Sequence, residues 1–335
     1  MLKVNQNIKK ENWNSFLLQN NASFLQSFEW GEFQEKLARK IWRLAVEDNG
    51  QVLLQVLVIK KTLPFGKSYL YIPFGPCLKQ SLPDDQKQQA IQELLGELQK
   101  IAKAEGVAYC YIEPVKGVSL FSGLKGVKLP AKKIQPQQTL VIDLTPAEEQ
   151  IFKSLKSKTT RYNIRFAEKK GVKFLAPKEV RDKEIQIFYD LAQKSAKRDG
   201  FINYPKDYFE KLFSVSSDNM KVQLFFSQYE NEIIAGNIFI FFGKIAVHLF
   251  GGFNHDFRHL MAPYFMHWKQ MLFAKKNMAC EIYDFWGIDE KKWPGVTHFK
   301  RSFGGKELTY PQGYDIVMDK VWYSIFKAAR KFLRR

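Results

Sequence analysis

Apolar and polar residues alternate in short blocks along the first third of the chain, and these blocks predict three strands, a long helix and a fourth strand. The turn signal Asp48-Asn49-Gly50 joins the first two strands into a hairpin. The helix carries its apolar residues on one face and ends at Gly106. The predicted strands span 41–47, 52–59, 69–75 and 107–112, and the helix spans 84–105.

The same order of elements recurs in the second half of the chain. Its predicted strands span 222–229, 233–242, 245–251 and 281–286, with a helix at 261–276 before the last of them. This repetition indicates an internal duplication, and each helix crossover makes the last strand parallel to the third. We therefore predict an α/β (α+β) protein with two tandem domains. Their mixed, mostly antiparallel sheets and flanking helices resemble the core of GNAT-type acyltransferases.

Helices are also predicted between the two copies, at 150–170, 180–198 and from Pro205 onward. The first of these carries a stripe of cations that recur every three or four residues. The stripe consists of Lys158, Arg161, Arg165 and Lys169. The stripe is either a solvated face of the helix or a surface that binds phosphate groups, and the sequence leaves both interpretations open. The tail at 321–335 is predicted to be a basic amphipathic helix.

The net charge of the chain indicates which kind of molecule it binds. Its 335 residues carry a net charge of +18, with a pI near 9.6. Such an excess favours polyanions such as nucleic acid, nucleotide-linked substrates or an anionic membrane face. The N-terminus has no apolar core of a signal peptide, and the longest apolar stretch, 238–253, is interrupted by Lys244 and His248. We therefore expect a cytoplasmic protein, with its cysteines as buried free thiols.

Common catalytic signatures are absent from the sequence. There is no metal-ligand spacing, no nucleophile motif and no glycine-rich nucleotide loop. The loop that cradles the pyrophosphate of coenzyme A in GNAT enzymes is missing as well. A different activated acyl donor is therefore expected, one with many phosphates. The candidate cation for such a donor is Lys300, which follows Phe299 in a predicted loop after the last strand of the second copy.

Five segments along the chain resemble the FemABX aminoacyltransferases. They are 27–33 (SFEWGEF), 158–171 (KTTRYNIRFAEKKG), 250–254 (FGGFN), 262–264 (APY) and 299–305 (FKRSFGG). The resemblance implies two GNAT-like domains and transfer of an amino acid from aminoacyl-tRNA to the stem peptide of a peptidoglycan precursor. The chain has no heptad run, so it resembles the members without a coiled-coil arm. The resemblance implies that residues 1–145 form domain 1, that residues 146–311 form domain 2, and that residues 312–335 return to domain 1.

The resemblance also implies roles for individual residues. Lys300, Phe299 and Glu113 match catalytic positions, with Lys300 near the ester and Glu113 as the base. Expected substrate contacts are Trp30, Gln34, Lys36, Tyr71, Tyr204, Tyr208, Arg258, Tyr264 and Trp286. Expected tRNA contacts are Lys158, Arg161, Arg165 and Arg301. Two positions depart from the pattern, because Gln34 stands where a phosphate-binding lysine is expected and Tyr204 where an arginine is expected.

The implied reaction is direct aminolysis of an ester that is already activated. It needs positioning, deprotonation of the amine and stabilisation of an oxyanion, with no metal and no cofactor beyond aminoacyl-tRNA as co-substrate. The expected acceptor is UDP-MurNAc-pentapeptide or a lipid-linked precursor, with peripheral contact to the inner membrane face. Two rival hypotheses stay open at this point. One is an N-acyltransferase of the same fold acting on another amine, and the other is a noncatalytic protein that binds tRNA or membrane.

Overall fold

We analysed a computed structural model of the chain that describes residues 1–63, 66–115, 121, 126–128 and 133–332. The contacts divide the chain into two compact units. Unit 1 comprises Met1–Gln137 and Tyr310–Arg335, and unit 2 comprises Gln138–Thr309. The predicted boundary after 145 differs from this division by one strand, Gln138–Asp143, which pairs within the sheet of unit 2.

Unit 1 begins with one strand and two helices and then builds the rest of the first sheet. Its strands up to residue 137 are β1 (Leu2–Asn5), β2 (Ile41–Asp48), β3 (Gln51–Thr62), β4 (Ser68–Pro73), β5 (Cys77–Leu78), β6 (Tyr109–Glu113) and β7 (Val127–Lys128). Its helices are α1 (Lys10–Gln19), α2 (Phe28–Lys36) and α3 (Asp84–Glu105). Helix α3 buries its predicted apolar face, including Ile91, Leu94 and Leu98, in the core of unit 1. The helix ends where Gly106 adopts a left-handed conformation, with φ of 61°.

Unit 2 repeats this plan. Its strands are β8 (Gln138–Asp143), β9 (Lys173–Leu175), β10 (Met220–Tyr229), β11 (Glu232–Phe242), β12 (Ile245–Phe253), β13 (Ile282–Ile288) and β14 (Lys306–Thr309). Its helices are α4 (Glu148–Ser154), α5 (Lys158–Lys169), α6 (Asp182–Asp199), α7 (Lys206–Phe213), α8 (Ala262–Met278) and α9 (Pro294–Arg301). The sheet order is β14-β8-β13-β12-β11-β10-β9, with β12 and β13 parallel.

The C-terminal segment completes unit 1. Strand β15 (Tyr314–Val317) joins the sheet order β1-β2-β3-β4-β6-β15-β7, beside β6, which is parallel to β4. Helix α10 (Lys320–Phe332) follows, and its Tyr323 ring lies edge-on to Tyr109, with 5.6 Å between ring centroids. In both units the predicted order of hairpin, strand, helix and parallel strand is confirmed.

Two sequence predictions of local structure are wrong. The helix predicted at 150–170 is two helices, because the chain is extended at Leu155 and Ser157 caps a new helix by accepting a hydrogen bond from the Thr159 backbone. At the break, the Lys156 backbone N–H donates to the Phe303 carbonyl oxygen at 3.3 Å. The predicted loop around Lys300 is helix α9, which begins at Pro294, a residue suited to the first turn of a helix.

Candidate functional site

The sheet of unit 2 opens between strands β12 and β13. Their parallel ladder starts at Ile245 and Ile282 and ends at Val247 and Asp284. Beyond that point β12 continues along β11 to Phe253, while β13 continues along β8. The two neighbouring strands thus follow different partners, which leaves an opening in the middle of the sheet.

A bulge shapes β13 at this opening. Asp284 pairs with Val141 of β8, whereas Gly287 pairs with Thr139, so β13 carries one more residue than its partner over this stretch. Trp286, within the bulge, has φ of 62°, which is rare for a residue with a side chain. The Asp284 carboxylate accepts the Trp286 backbone N–H at 2.7 Å and also accepts the Thr139 hydroxyl. The Asp284 side chain therefore holds the bulge closed.

Lys300 lies in the last turn of α9 and is only 8% exposed. Its Nζ donates a hydrogen bond to the Gly287 carbonyl oxygen at 2.7 Å. Burial lowers the pKa of Lys300 to about 8, against the opposing attraction of Asp284. Lys300 is therefore a buried cation at neutral pH, not a surface lysine of a basic loop.

Two neutral histidines lie beside this cation. Burial lowers the pKa of His248 to about 3 and that of His267 well below its ordinary value, and the charge of Lys300 contributes in both cases. His267 Nδ1 is 2.6 Å from the Tyr283 hydroxyl. The Tyr283 hydroxyl in turn donates to Gln270 Oε1 at 3.3 Å. Lys300 thus carries positive charge among buried groups that are polar but uncharged, apart from Asp284.

Aromatic packing fixes helix α9 on helix α8. The Tyr264 ring lies 4.9 Å from Phe299 and 5.7 Å from Phe303, centroid to centroid. Phe303 is fully buried. Gly305 follows with φ of 86°, and a Cβ there would overlap the Val141 carbonyl oxygen. Phe299 and Tyr264 therefore orient the segment that carries Lys300, and the structure brings these two predicted site residues together beside it.

Glu113 is saturated with hydrogen bonds in unit 1. Its carboxylate accepts the Tyr71 hydroxyl at 2.5 Å, the Tyr111 hydroxyl at 2.7 Å and the Ile134 backbone N–H at 2.9 Å. The Gln135 backbone N–H donates to it as well, at 3.1 Å. The structure thus joins Glu113 and Tyr71, two predicted site residues. To act as a base, Glu113 would have to release one of these donors.

Of the three substrate contacts predicted near the N-terminus, two are buried and one is exposed. Trp30 is 8% exposed, and its ring packs on Phe33 with 5.0 Å between ring centroids, so most of the ring lies in the core. Gln34 is 2% exposed and accepts a hydrogen bond from the Arg39 guanidinium at 2.6 Å. Lys36 is exposed.

Other predicted substrate residues of unit 2 lie at its surface. The Tyr204 ring stacks on Tyr208 with 4.0 Å between centroids, and both rings meet Phe250 edge-on. Tyr204 is 48% exposed. Arg258 is exposed in a short 3-10 turn that follows β12. The arginine expected at position 204 is thus replaced by an aromatic stack.

The predicted tRNA-contacting cations have uneven surroundings. The Arg161 guanidinium donates to the Leu155 carbonyl oxygen, so it closes the break between α4 and α5. Arg165 is exposed and lies over the Phe152 ring at 5.0 Å. Arg301 forms ion pairs with two glutamates, Glu290 and Glu307, which offset its charge. Lys158 is exposed at the first position of α5. Arg161 and Arg301 are therefore engaged within the protein.

Sequence reasoning missed Asp284, His267 and Thr139. Asp284 was detectable in principle, because it is a charged residue between Tyr283 and Phe285 in an apolar strand. The contact between Thr139 and Asp284 joins residues far apart in the chain, and no local pattern reports it. The described residues contain no cluster of side chains that could hold a metal ion. Among their helices, none has the length and apolar character to cross a membrane.

The fold places the chain among proteins built from two GNAT-like units. A tandem GNAT protein from the clavulanic acid biosynthesis pathway superposes on 95% of this chain and 99% of its own, with a TM-score of 0.59 and 8% identity. The crystal structure of FemX superposes on 96% of this chain and 99% of its own, with a TM-score of 0.84 and 18% identity. The predicted tandem GNAT-like fold is confirmed.

The sequence model of the FemAB family matches residues 8–129, 122–225 and 214–331, so the chain belongs to the FemAB family. Lipid II:glycine glycyltransferase of Staphylococcus haemolyticus is 22% identical, over 94% of this chain and 93% of the relative. The enzyme of the same name in Staphylococcus aureus strain USA300 is 21% identical over the same shares. The family resemblance seen in the sequence is confirmed, and the protein is an aminoacyltransferase.

Proposed function

We propose that the protein transfers an amino acid from aminoacyl-tRNA to the stem-peptide amine of a lipid-linked peptidoglycan precursor. The observation that carries this proposal is the buried Lys300 ammonium, held by the Gly287 carbonyl at the opening between β12 and β13. The name of the staphylococcal relatives, lipid II:glycine glycyltransferase, supports a lipid-linked acceptor. The net charge of +18 favours a polyanionic donor such as tRNA.

The proposed chemistry is a single acyl transfer. The acceptor amine attacks the ester carbonyl carbon, a C–N bond forms, and the bond to the ribose oxygen breaks. The amine loses a proton, and the ribose oxygen gains one. The Lys300 ammonium stabilises the negative charge that develops on these oxygens, where exclusion of water strengthens the interaction. A pKa of about 8 also allows Lys300 to donate a proton to the leaving oxygen near neutral pH.

The basic helix α5 offers a surface for the donor beside this cation. The Thr160 hydroxyl of α5 donates to the Ser302 carbonyl oxygen at 2.9 Å, directly after α9. Lys158 and Arg165 are exposed on the same helix. We propose that these two cations contact phosphates near the 3′ end of the tRNA while the aminoacyl ester reaches Lys300.

A matrix of donors and acceptors tests the proposal. Purified protein is incubated with mixed aminoacyl-tRNAs or with acetyl-coenzyme A, and with lipid-linked precursor, UDP-MurNAc-pentapeptide or a free amine. We expect transfer from aminoacyl-tRNA to the lipid-linked precursor and loss of that transfer in Lys300→Met. Transfer from acetyl-coenzyme A, or to the free amine alone, would replace the proposal with an N-acyltransferase of the same fold. Binding of tRNA with no transfer under any combination would favour the noncatalytic alternative.

A further inference from the structure

Asp284 is a carboxylate in an apolar place. It is 6% exposed, and its neighbours in β13, Tyr283 and Phe285, are fully buried. Burying a charged group without strong partners destabilises a fold. Burial raises the pKa of Asp284 to about 6, even though the Thr139 hydroxyl, the Trp286 N–H and the charge of Lys300 all lower it. The fold therefore keeps a carboxylate in a place where its charge is costly.

The contacts of Asp284 act on backbone geometry. Its Oδ1 atom accepts both the Thr139 hydroxyl and the Trp286 backbone N–H. These two hydrogen bonds tie β8 to the bulge of β13 and hold Trp286 in its left-handed conformation. The residue after Trp286 is Gly287, whose carbonyl oxygen receives the hydrogen bond from Lys300 Nζ.

We infer that Asp284 and Thr139 are positioning residues for Lys300. They hold the one-residue bulge that aims the Gly287 carbonyl at the Lys300 ammonium, and the negative charge of Asp284 favours that ammonium. The consequence for catalysis rests on the proposed role of Lys300, whereas the effect on the state of Lys300 does not depend on it.

The electrostatic surroundings of Lys300 support this role. Helix α8 presents His267 and β12 presents His248, and burial keeps both neutral by lowering their pKa values. Asp284 from β13 is the group whose charge raises the pKa of Lys300. Loss of the Asp284 charge should therefore move the pKa of Lys300 further down, below about 8.

Three variants separate charge from geometry. Asp284→Asn keeps the Oδ1 acceptor for both hydrogen bonds and removes the charge. Thr139→Val keeps the charge and removes the hydroxyl donor, and Thr139→Ser restores that donor. Asp143→Asn is a matched control, because Asp143 also accepts a hydroxyl and a backbone N–H, both from Thr145, but lies at an exposed end of β8.

The first measurement is the rate of acylation of Lys300 by acetic anhydride across pH, followed by mass spectrometry of its peptide. We expect the apparent pKa of Lys300 to fall in Asp284→Asn and to stay unchanged in Asp143→Asn. We also expect Asp284→Asn to resist urea at least as well as the wild type. An unchanged Lys300 titration combined with lower stability would overturn the inference, because it would show that Asp284 only supports the fold. This arm needs no transfer activity, so it stands apart from the proposed function.

The second measurement is steady-state transfer from aminoacyl-tRNA. Thr139→Val should lower kcat by between about tenfold and 100-fold with little change in the KM for either substrate, because the cation is misplaced while the binding surfaces are intact. Thr139→Ser should recover most of the rate. In Asp284→Asn the basic limb of the profile of kcat against pH should move to lower pH. Equal kcat values for Thr139→Val and wild type, with an unmoved pH profile in Asp284→Asn, would overturn the positioning role.

Discussion

Replacing Lys300 with methionine should abolish transfer and make the protein more stable. Burial lowers the pKa of Lys300 from its ordinary value of 10.5 to about 8. Since each pH unit of such a difference corresponds to about 1.4 kcal/mol, protonated Lys300 destabilises the folded state by about 3 kcal/mol at neutral pH. Methionine leaves the Gly287 carbonyl oxygen without its donor, which costs about 1 kcal/mol. The free energy of unfolding of Lys300→Met should thus exceed that of wild type by about 2 kcal/mol at pH 7.

The pH dependence gives this prediction a second signature. The folded-state pKa of Lys300 lies below its unfolded value, so the destabilisation is complete below about pH 8 and disappears above pH 10.5. Wild-type stability should therefore rise relative to Lys300→Met as the pH rises through this window. The advantage of about 2 kcal/mol for Lys300→Met at pH 7 should fall to about zero by pH 10.

Urea unfolding of both proteins at pH 7, 8, 9 and 10 measures these values, provided that the slope against urea is the same in both. Lys291→Met is the control, because Lys291 is exposed in the same segment and its loss should leave stability nearly unchanged. A Lys300→Met variant that is less stable than wild type at pH 7, or a difference in stability that does not change with pH, would show that Lys300 is not a buried cation whose charge destabilises the folded state.

Four further predictions concern other residues. Phe303→Ala removes a fully buried ring and should lower the free energy of unfolding by about 3–5 kcal/mol in urea titrations, whereas a loss below about 1 kcal/mol would contradict its place in the core. Glu113→Gln places an amide NH2 against hydroxyl and N–H donors, so it should lower the free energy of unfolding by about 2 kcal/mol. An unchanged free energy of unfolding would show that these donors do not depend on the Glu113 carboxylate. Burial lowers the pKa of Lys61 to about 7, so Lys61→Met should remove part of the rise in stability between pH 7 and 10.5, and an unchanged pH profile would speak against this burial. Lys158→Ala combined with Arg165→Ala should reduce the slope of log tRNA affinity against log salt concentration by about 2. An unchanged slope would show that α5 does not contact the tRNA.

The order of elements could be predicted because local patterns specify it. Alternation of apolar residues and the Asp48-Asn49-Gly50 turn define the first hairpin, and the apolar face and terminal Gly106 define α3. The duplication followed from repeating these local features. The break between α4 and α5 could not be predicted, because no proline or glycine interrupts residues 150–170. Ser157 and the distant Phe303 carbonyl stabilise the break instead.

The site was predictable only in part, and for a physical reason. Lys300 and Phe299 stand out in the sequence, but the burial that lowers the pKa of Lys300 depends on how α9 packs, with Phe299 against His267 and Lys300 Nζ on the Gly287 carbonyl oxygen. Glu113 was recognisable as an acid at the end of a strand, whereas its saturation by Tyr71, Tyr111 and a loop depends on contacts across the unit. The depth of Trp30 in unit 1 could not be predicted either, because the local sequence does not reveal how much of an aromatic ring faces the core.

The proposed transfer is tested by the mass and position of the group added to the acceptor. Wild-type protein is incubated with lipid-linked precursor and mixed aminoacyl-tRNAs, and the product is sequenced by tandem mass spectrometry. We expect the added mass of an aminoacyl residue on the amine of the stem peptide, and no addition with Lys300→Met. An unchanged precursor with every aminoacyl-tRNA, or addition that persists in folded Lys300→Met, would contradict it.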